Sequence, residues 1–223
     1  IYKAIEGCSI VLIVACMGGV CGSGGAHIIA RIAKSQGIPV ISIVTTPFQF
    51  EGLLRAHNAF EGIANLQKFS DSLLVLPNER LIQLEFSNMP IELALRAIDK
   101  RIELFLHTIT NLYNKSSMIP LEHETIQSII RDRRGIWCES FFVQKISEIS
   151  QYIKNSLDTT TFPSVDLSAA EICLTHICVN QDFPLEDLQI CSSTIQNSLP
   201  NCEVFTSVSL NQNSSHCIGI SLL

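Results

Sequence analysis

The feature that most constrains the fold of this chain is a glycine-rich segment between an apolar run and an amphipathic run. Residues 11–34 read VLIVACMGGVCGSGGAHIIARIAK, with glycine at positions 18, 19, 22, 24 and 25. A buried strand that enters a helix through such a turn exposes backbone N–H groups at the positive end of the helix dipole, with no Cβ atoms in the way. The segment predicts a site for phosphate or another small anion; the alternative is a tight connection without a ligand.

Two common phosphate motifs do not fit this segment. It lacks the lysine of a Walker loop, and a dinucleotide fingerprint that starts at Gly22 would require glycine where His27 stands. The anion site is therefore predicted to be of another type.

Three short apolar runs predict a parallel sheet. Residues 9–15, 39–44 and 72–77 are rich in branched side chains, as strands buried on both faces are. Two helical patterns separate them. The first begins at Gly25 and is expected to end at Gly37, and the second covers residues 52–68. This alternation predicts a βαβαβ unit with right-handed crossovers, and hence an α/β fold.

A long helix is predicted after Pro90, a residue that suits a first helical turn. Its apolar side chains keep a strict 4-3 spacing and would form one stripe about 35 Å long; they are Ile91, Leu95, Ile98, Ile102, Phe105, Ile109 and Leu112. Periodicity alone leaves two interpretations open, a spine between two lobes or an ordinary core helix.

The remaining chain predicts a second, smaller α/β lobe. Strands are expected at residues 170–179, 202–210 and 216–223, and a helix at 185–199. The last two strands would be joined by a hairpin or a longer turn at residues 211–216.

Composition excludes several classes of partner. The net charge of -6 provides no broad basic surface for nucleic acid or an anionic membrane. Nine cysteines without a CxxC pair, several of them in apolar runs, predict buried reduced thiols of a cytoplasmic protein rather than disulfides or a zinc site. No apolar run approaches the roughly 20 residues of a membrane span, so direct membrane insertion is not expected.

The glycine segment resembles the GGGTGTG signature of the tubulin and FtsZ superfamily. Val replaces its third glycine, and Cys and Ser replace its two threonines. Downstream, TTPFQFEGLLR resembles the FtsZ pattern TKPFxFEGxxR, and LLVLPNERL resembles LIVIPNDKL. The resemblance covers nearly the whole chain, so the chain is identified as a divergent member of the FtsZ family.

The resemblance implies a tubulin/FtsZ-like fold in three parts. These are a partial GTP-binding domain with a parallel sheet (1–89), a long central helix (90–114) and a smaller α+β activation domain (115–223). In FtsZ-like proteins a further phosphate loop precedes the region that matches Ile1, so the chain is expected to supply part of a pocket.

The resemblance also implies a GTP site, with magnesium as a companion ion. The phosphates would lie against Gly18, Gly19, Val20, Cys21, Gly22, Ser23 and Gly24. Glu51 and Arg55 would contact the ribose and phosphates, although their spacing also fits an i,i+4 ion pair. Asp99 would accept hydrogen bonds from guanine N1 and N2, with Leu95 where the family stacks Phe; the alternative for Asp99 is a solvated helix residue.

The family's catalytic loop, NxDFAD, corresponds to PLEHET at residues 120–125. Glu122 is the first candidate to orient the attacking water, with Glu124 or His123 as assistants, while exposed loop polarity is the alternative. By resemblance, subunits would stack head to tail in the cytoplasm at the division site, hydrolyse GTP at their interface, and bind division-site regulators and membrane tethers.

Two other functions stay open. The first is a non-hydrolysing filament or scaffold protein with a degenerate catalytic loop, which Leu95 and the altered loop favour. The second is an enzyme for a small phosphate-bearing substrate on an unrelated α/β fold.

Overall fold

The computed structural model describes residues 1–83, 89–113, 117–131, 136, 139–158, 171–210 and 218–222. The chain divides into two compact units, Ile1–Ile102 with Gln127–Ile136, and Glu103–Ile126 with Trp137–Leu223. The domain limits 1–89, 90–114 and 115–223 stay a prediction.

The first unit is built on three parallel strands in the order β1-β2-β3, as predicted. Its elements are α1 (Tyr2–Ile5), β1 (Val11–Cys16), α2 (Val20–Ser35), β2 (Val40–Thr46), α3 (Leu53–Gln67), β3 (Ser72–Pro77) and α4 (Glu79–Gln83). In the central strand Val40, Ile41, Ile43 and Val44 are fully buried. This burial explains why these four positions carry branched apolar side chains.

Helix α2 begins at Val20, so the expectation that the helical pattern starts at Gly25 was wrong. The N–H of Ser23 donates the first helical hydrogen bond to the carbonyl of Gly19, at 3.1 Å. Most of the predicted glycine turn is therefore the first part of the helix. The end of α2 at Ser35, followed by Gly37 with φ 72°, agrees with the prediction.

The long helix α5 (Ile91–Leu112) is confirmed, but its apolar stripe is only partly buried. Ile98, Phe105, Ile109 and Leu112 are at most 2% exposed, whereas Ile91 is 59% and Leu95 36% exposed; Ala94 is buried instead. A 4-3 spacing drifts by about 20° per heptad on a straight helix, which turns the first residues of the stripe away from the core. No helix of the described residues, α5 included, is long and apolar enough to cross a membrane.

The second unit contains a mixed sheet in the order β4-β7-β5-β6. Its elements are β4 (Glu139–Val143), α7 (Ile149–Asp158), β5 (Ile172–Val179), α8 (Leu185–Ser198), β6 (Glu203–Leu210) and β7 (Ile218–Leu222), and α6 (His123–Ile130) begins in this unit. Strands β5 and β6 are parallel, and β7 is antiparallel to both β4 and β5. Ile149, Ile153, Cys191 and Ile195 of α7 and α8 belong to the same buried core as Ile177 of β5.

The expected turn at residues 211–216 lies outside the described residues. Its flanking strands β6 and β7 are separated in the sheet by β5, so they do not form a hairpin. The local pattern could not reveal this because insertion of β7 between β4 and β5 depends on pairing with distant strands.

The cysteines are only partly buried. Cys173 and Cys191 are buried, as predicted, but Cys8, Cys16 and Cys21 are exposed. All described cysteines are free thiols. Cys138 and Cys217 lie outside the described residues.

His176 joins β5 to β6 inside the second unit. The side chain is 2% exposed, with Nδ1 2.7 Å from Ser207 Oγ and Nε2 2.9 Å from Ser209 Oγ. Burial lowers the pKa of His176 from 6.5 to about 4, because the charged imidazole loses its hydration. The folded protein therefore holds a neutral histidine at neutral pH.

This histidine is expected to make the protein less stable in mild acid. Between the folded-state pKa of about 4 and the unfolded-state value of 6.5, the unfolded chain binds more protons at His176. The contribution is fully present above pH 6.5, and about 2 kcal/mol of it is lost between pH 7.5 and pH 5.0. Urea unfolding at both pH values, compared with His176→Gln, isolates this contribution. An equal loss of stability in the variant would contradict the assignment.

Candidate functional site

The turn between β1 and α2 lies against the start of α3. Gly18 has φ 103°, and a Cβ atom there would lie 3.1 Å from the carbonyl oxygen of Arg55 and 3.2 Å from Pro47 Cγ. Both the backbone conformation and the close approach therefore require glycine at this position. The structure thus brings Arg55 to the glycine segment.

The start of α2 presents backbone donors without protein acceptors. The N–H groups of Val20, Cys21 and Gly22 donate no hydrogen bond within the described parts of the chain, and the N-cap residue Gly19 has no side chain to accept one. The N–H of Gly18 is used differently, because it donates to Ser23 Oγ at 2.9 Å. Unpaired amides at the positive end of a helix dipole favour an anion.

Two glycines hold this helix start in place. A Cβ atom on Gly22 would lie 2.0 Å from the carbonyl oxygen of Cys16, at the end of β1. A Cβ atom on Gly62, in α3, would lie 2.7 Å from Ser23 Cβ. The first turns of α2 therefore lie directly between the end of β1 and α3.

Glu51 and Arg55 form the i,i+4 ion pair that their spacing allows. Glu51 Oε2 accepts a hydrogen bond from Arg55 Nη1 at 2.9 Å, and Oε1 accepts one from the N–H of Phe48 at 2.8 Å. The Arg55 side chain is 55% exposed, so the pair contributes little to stability. A role in ligand binding for both residues stays a prediction.

Sequence reasoning missed Asn58 and Gly62. Asn58 Nδ2 lies 3.4 Å from the carbonyl oxygen of Gly18, which it approaches from α3 one turn after Arg55. The only feature of the sequence that could have identified Asn58 was its spacing of three residues from Arg55, which places both on one face of a helix. Gly62 could have been found, since a glycine inside a helix costs about 1 kcal/mol relative to alanine and often marks close packing.

Asp99, the predicted base-reading residue, lies exposed on α5. It makes no hydrogen bond or ion pair with residues 18–24 among the described residues, and Leu95 beside it is partly exposed. Its assignment to the guanine base stays a prediction.

The predicted catalytic residues belong to the second unit, at the start of α6. Residues 120–124 line an open cavity of about 520 Å³. The carbonyl of Glu122 accepts a hydrogen bond from the N–H of Ile126, so Glu122 directly precedes the helix and Glu124 lies in its first turn. Both carboxylates are exposed, and at this end of a helix they also stabilise it by charge.

His123 contacts Tyr113 near the end of α5. Its Nε2 lies 3.2 Å from the carbonyl oxygen of Tyr113, and the two rings are tilted with centroids 5.2 Å apart. The side chain is half-buried.

The residues of the site do not form a magnesium site by themselves. Within the described residues no three side chains of His, Cys, Asp or Glu converge on a point. Both carboxylate oxygens of Glu51 already accept hydrogen bonds, and so does Ser23 Oγ. Because Mg²⁺ prefers six oxygen ligands, an ion here would need ligands from phosphates and water.

Comparison with known proteins relates the chain to one family. Residues 1–85 match the Tubulin/FtsZ family, GTPase domain. The protein named Cell division protein FtsZ 1 of Pyrococcus furiosus is 32% identical over 212 residues, which are 93% of this chain and 55% of that protein. Its namesake from Pyrococcus woesei is 34% identical over 190 residues, or 83% and 50%. The chain spans about half the length of the curated relatives it matches.

Solved structures show a similarity of fold across both units. An FtsZ dimer from M. jannaschii has a TM-score of 0.82 and 25% identity, and the match covers 99% of this chain and 64% of that chain. CetZ1 from Haloferax volcanii, a GDP-bound monomer, has a TM-score of 0.72 at 18% identity over 98% and 65%, a likeness of fold alone. These matches confirm the expected tubulin/FtsZ-like fold.

Proposed function

We propose that this chain, which belongs to the Tubulin/FtsZ family, binds GTP at the start of α2 and assembles with copies of itself in cell division. One observation carries the proposal: the amides of Val20, Cys21 and Gly22 have no described protein acceptor and lie between β1 and α3, within the part that matches a GTPase domain. The names of the relatives, and a neighbour described as a dimer, support the cellular role and the self-assembly.

In the proposed site, residues 18–24 surround the phosphates. Arg55 is near enough to the turn to exchange its ion pair with Glu51 for a phosphate oxygen, since its backbone already contacts the place of Gly18. Glu51 would then be released toward a ribose hydroxyl, and Asp99 would read the guanine base. Arg55 suits this role because its planar guanidinium can donate two hydrogen bonds to one phosphate.

Hydrolysis is proposed to need two copies. The loop at residues 120–124 would enter the GTP site of the next subunit, where Glu122 orients water and Glu124 or His123 assists. A head-to-tail contact of this kind generates an open filament. Action at the cytoplasmic division site, with membrane tethers and regulators, completes the proposal.

A non-hydrolysing filament or scaffold protein is the second candidate. It is favoured by the position of Glu122 and Glu124 at the start of α6. Carboxylates at this end of a helix stabilise it by charge, so their presence there needs no catalytic role to explain it. The two candidates share GTP binding and assembly, so only turnover separates them.

Phosphate release from GTP as a function of protein concentration tests the proposal directly. The natural full-length protein, with magnesium in the buffer, is expected to show turnover per molecule that rises with concentration, because one copy holds half of a catalytic site. Bound GTP without phosphate release would favour the second candidate. Failure to bind GTP, or equal binding of ATP, would contradict both.

Cys21 provides a direct test of the site. We expect GTP to protect its thiol at least about 10-fold from a maleimide, because bound phosphates would cover the start of α2. Cys8, exposed before the other end of β1, is the internal control and should react at the same rate with and without GTP. Rates are read for each thiol by peptide mass spectrometry. Equal protection of both thiols would indicate a general change of conformation instead.

A further inference from the structure

The candidate catalytic loop is anchored to the sheet of its own unit at one residue. Ile119, directly before the loop, pairs with Val208 of β6 as an isolated antiparallel bridge. The N–H of Val208 donates to the carbonyl of Ile119 at 3.0 Å, and the N–H of Ile119 donates to the carbonyl of Val208 at 3.2 Å. The position of Pro120 and the cavity-lining residues after it therefore depends on the backbone of β6 at Val208.

The anchor residue lies between the two serines that His176 holds. Ser207 and Ser209 flank Val208 on β6, and each hydroxyl is hydrogen-bonded to one ring nitrogen of His176. Ser207 and His176 are directly opposite in the parallel register of β5 and β6. The buried imidazole of His176 is thus hydrogen-bonded to β6 on both sides of Val208, the residue that pairs with Ile119.

We propose that His176 is a positioning residue for the loop at residues 120–124, acting through Ser207, Ser209 and the Val208–Ile119 bridge. The part of this proposal that concerns turnover rests on the proposed GTPase function. The anchoring itself does not.

The chemistry of the three side chains explains why histidine suits this position. A neutral imidazole has one N–H donor and one acceptor nitrogen, and a serine hydroxyl can either donate or accept, so both hydrogen bonds form with either tautomer. Ser207 is fully buried, so loss of the imidazole leaves a hydroxyl without a partner in the core. Strand β6 is the last strand in the sheet order, and among the described residues it pairs with a neighbouring strand, β5, on one side only. The hydrogen bonds of His176 with Ser207 and Ser209 therefore support β6 in place of a second neighbouring strand.

Amide hydrogen exchange tests the anchoring without reference to activity. His176→Phe keeps a buried ring and removes both hydrogen bonds, and Ser209→Ala removes one of them in a milder way. We expect exchange at the amides of Ile119 and Val208 to become about 10-fold faster in His176→Phe and to change in the same direction in Ser209→Ala. Ile153→Val, in α7 of the same buried core, is the matched control. It removes one buried methyl group from that core, at a residue outside the β5–β6 pair that holds both serines.

The outcomes test the positioning role of His176 separately from the proposed GTPase function. Faster exchange at Ile119 in His176→Phe and Ser209→Ala, but not in Ile153→Val, supports the anchor. Unchanged exchange, or the same change in the control, overturns it. Where the wild-type protein hydrolyses GTP, kcat should fall about 10-fold in His176→Phe while GTP affinity stays unchanged. An unchanged kcat would overturn the positioning role. A wild-type protein that never releases phosphate would overturn the proposed GTPase function and leave the exchange result valid.

Discussion

Replacing Gly22 by alanine is expected to lower the free energy of unfolding by about 3 kcal/mol or more and to abolish GTP binding. The added Cβ atom would lie 2.0 Å from the carbonyl oxygen of Cys16 and 2.9 Å from its carbonyl carbon. Both are backbone atoms of β1, so the contact cannot be relieved by a side-chain rotation. The start of α2 would have to move away from the strand that supports it. Urea unfolding and a titration with GTP measure the two effects.

Gly25→Ala is the matched control for this substitution. Gly25 lies in the same helix and has no atom within 4 Å of the place of its Cβ. Alanine there is expected to raise the free energy of unfolding by about 0.5–1 kcal/mol, because it removes the conformational entropy cost of a helical glycine. If Gly22→Ala were as stable as Gly25→Ala, the close approach between α2 and β1 would be wrong.

Glu122→Gln is expected to reduce GTP turnover about 100-fold while GTP affinity changes less than twofold. Glu122 is proposed to act on the nucleotide of the next subunit, so its carboxylate matters to hydrolysis and not to binding by its own subunit. Phosphate release at saturating protein and GTP, together with a binding titration, measures the two properties. Glu124→Gln, measured in parallel, reports whether the second carboxylate assists.

Glu186→Gln controls for the loss of a negative charge at a helix start. Glu186 is an exposed acidic residue in the first turn of α8, so its substitution removes the same favourable interaction with a helix dipole. Turnover should not change in this variant. If Glu122→Gln retained full turnover as well, Glu122 would be excluded from the chemistry. A parallel loss of binding and turnover would indicate misfolding.

The elements predicted best were those whose pattern is local. The runs that became β1, β2 and β3 are buried on both faces, which requires nearly continuous apolar side chains. Helices α3, α5 and α8 were predicted because their periodicity repeats over several turns. Strand β4 and helices α6 and α7 were missed, since each is a short element whose pattern is difficult to distinguish from a loop.

The sequence motif selected most of the candidate site residues but not their geometry, and their role in binding stays a prediction. The glycines and Arg55 were selected from the motif, and the structure brings them together at the start of α2. Asn58 was identified as part of the candidate site only from its contact with the carbonyl of Gly18, because one polar residue on a helix has no distinguishing sequence pattern. The roles of Glu51, Asp99, Glu122 and Glu124 still await the experiments above.

Local sequence was thus sufficient for the parallel α/β unit, the long helix and the presence of a glycine-rich segment between β1 and α2, because burial and backbone freedom act on neighbouring residues. Tertiary structure alone decided that α2 starts at Val20, with Gly22 packed closely on the backbone of Cys16. It also placed β7 between β4 and β5. It also decided that His176 spans two serines beside the residue that holds Ile119. These features depend on contacts between residues far apart in the chain, which no periodic pattern encodes.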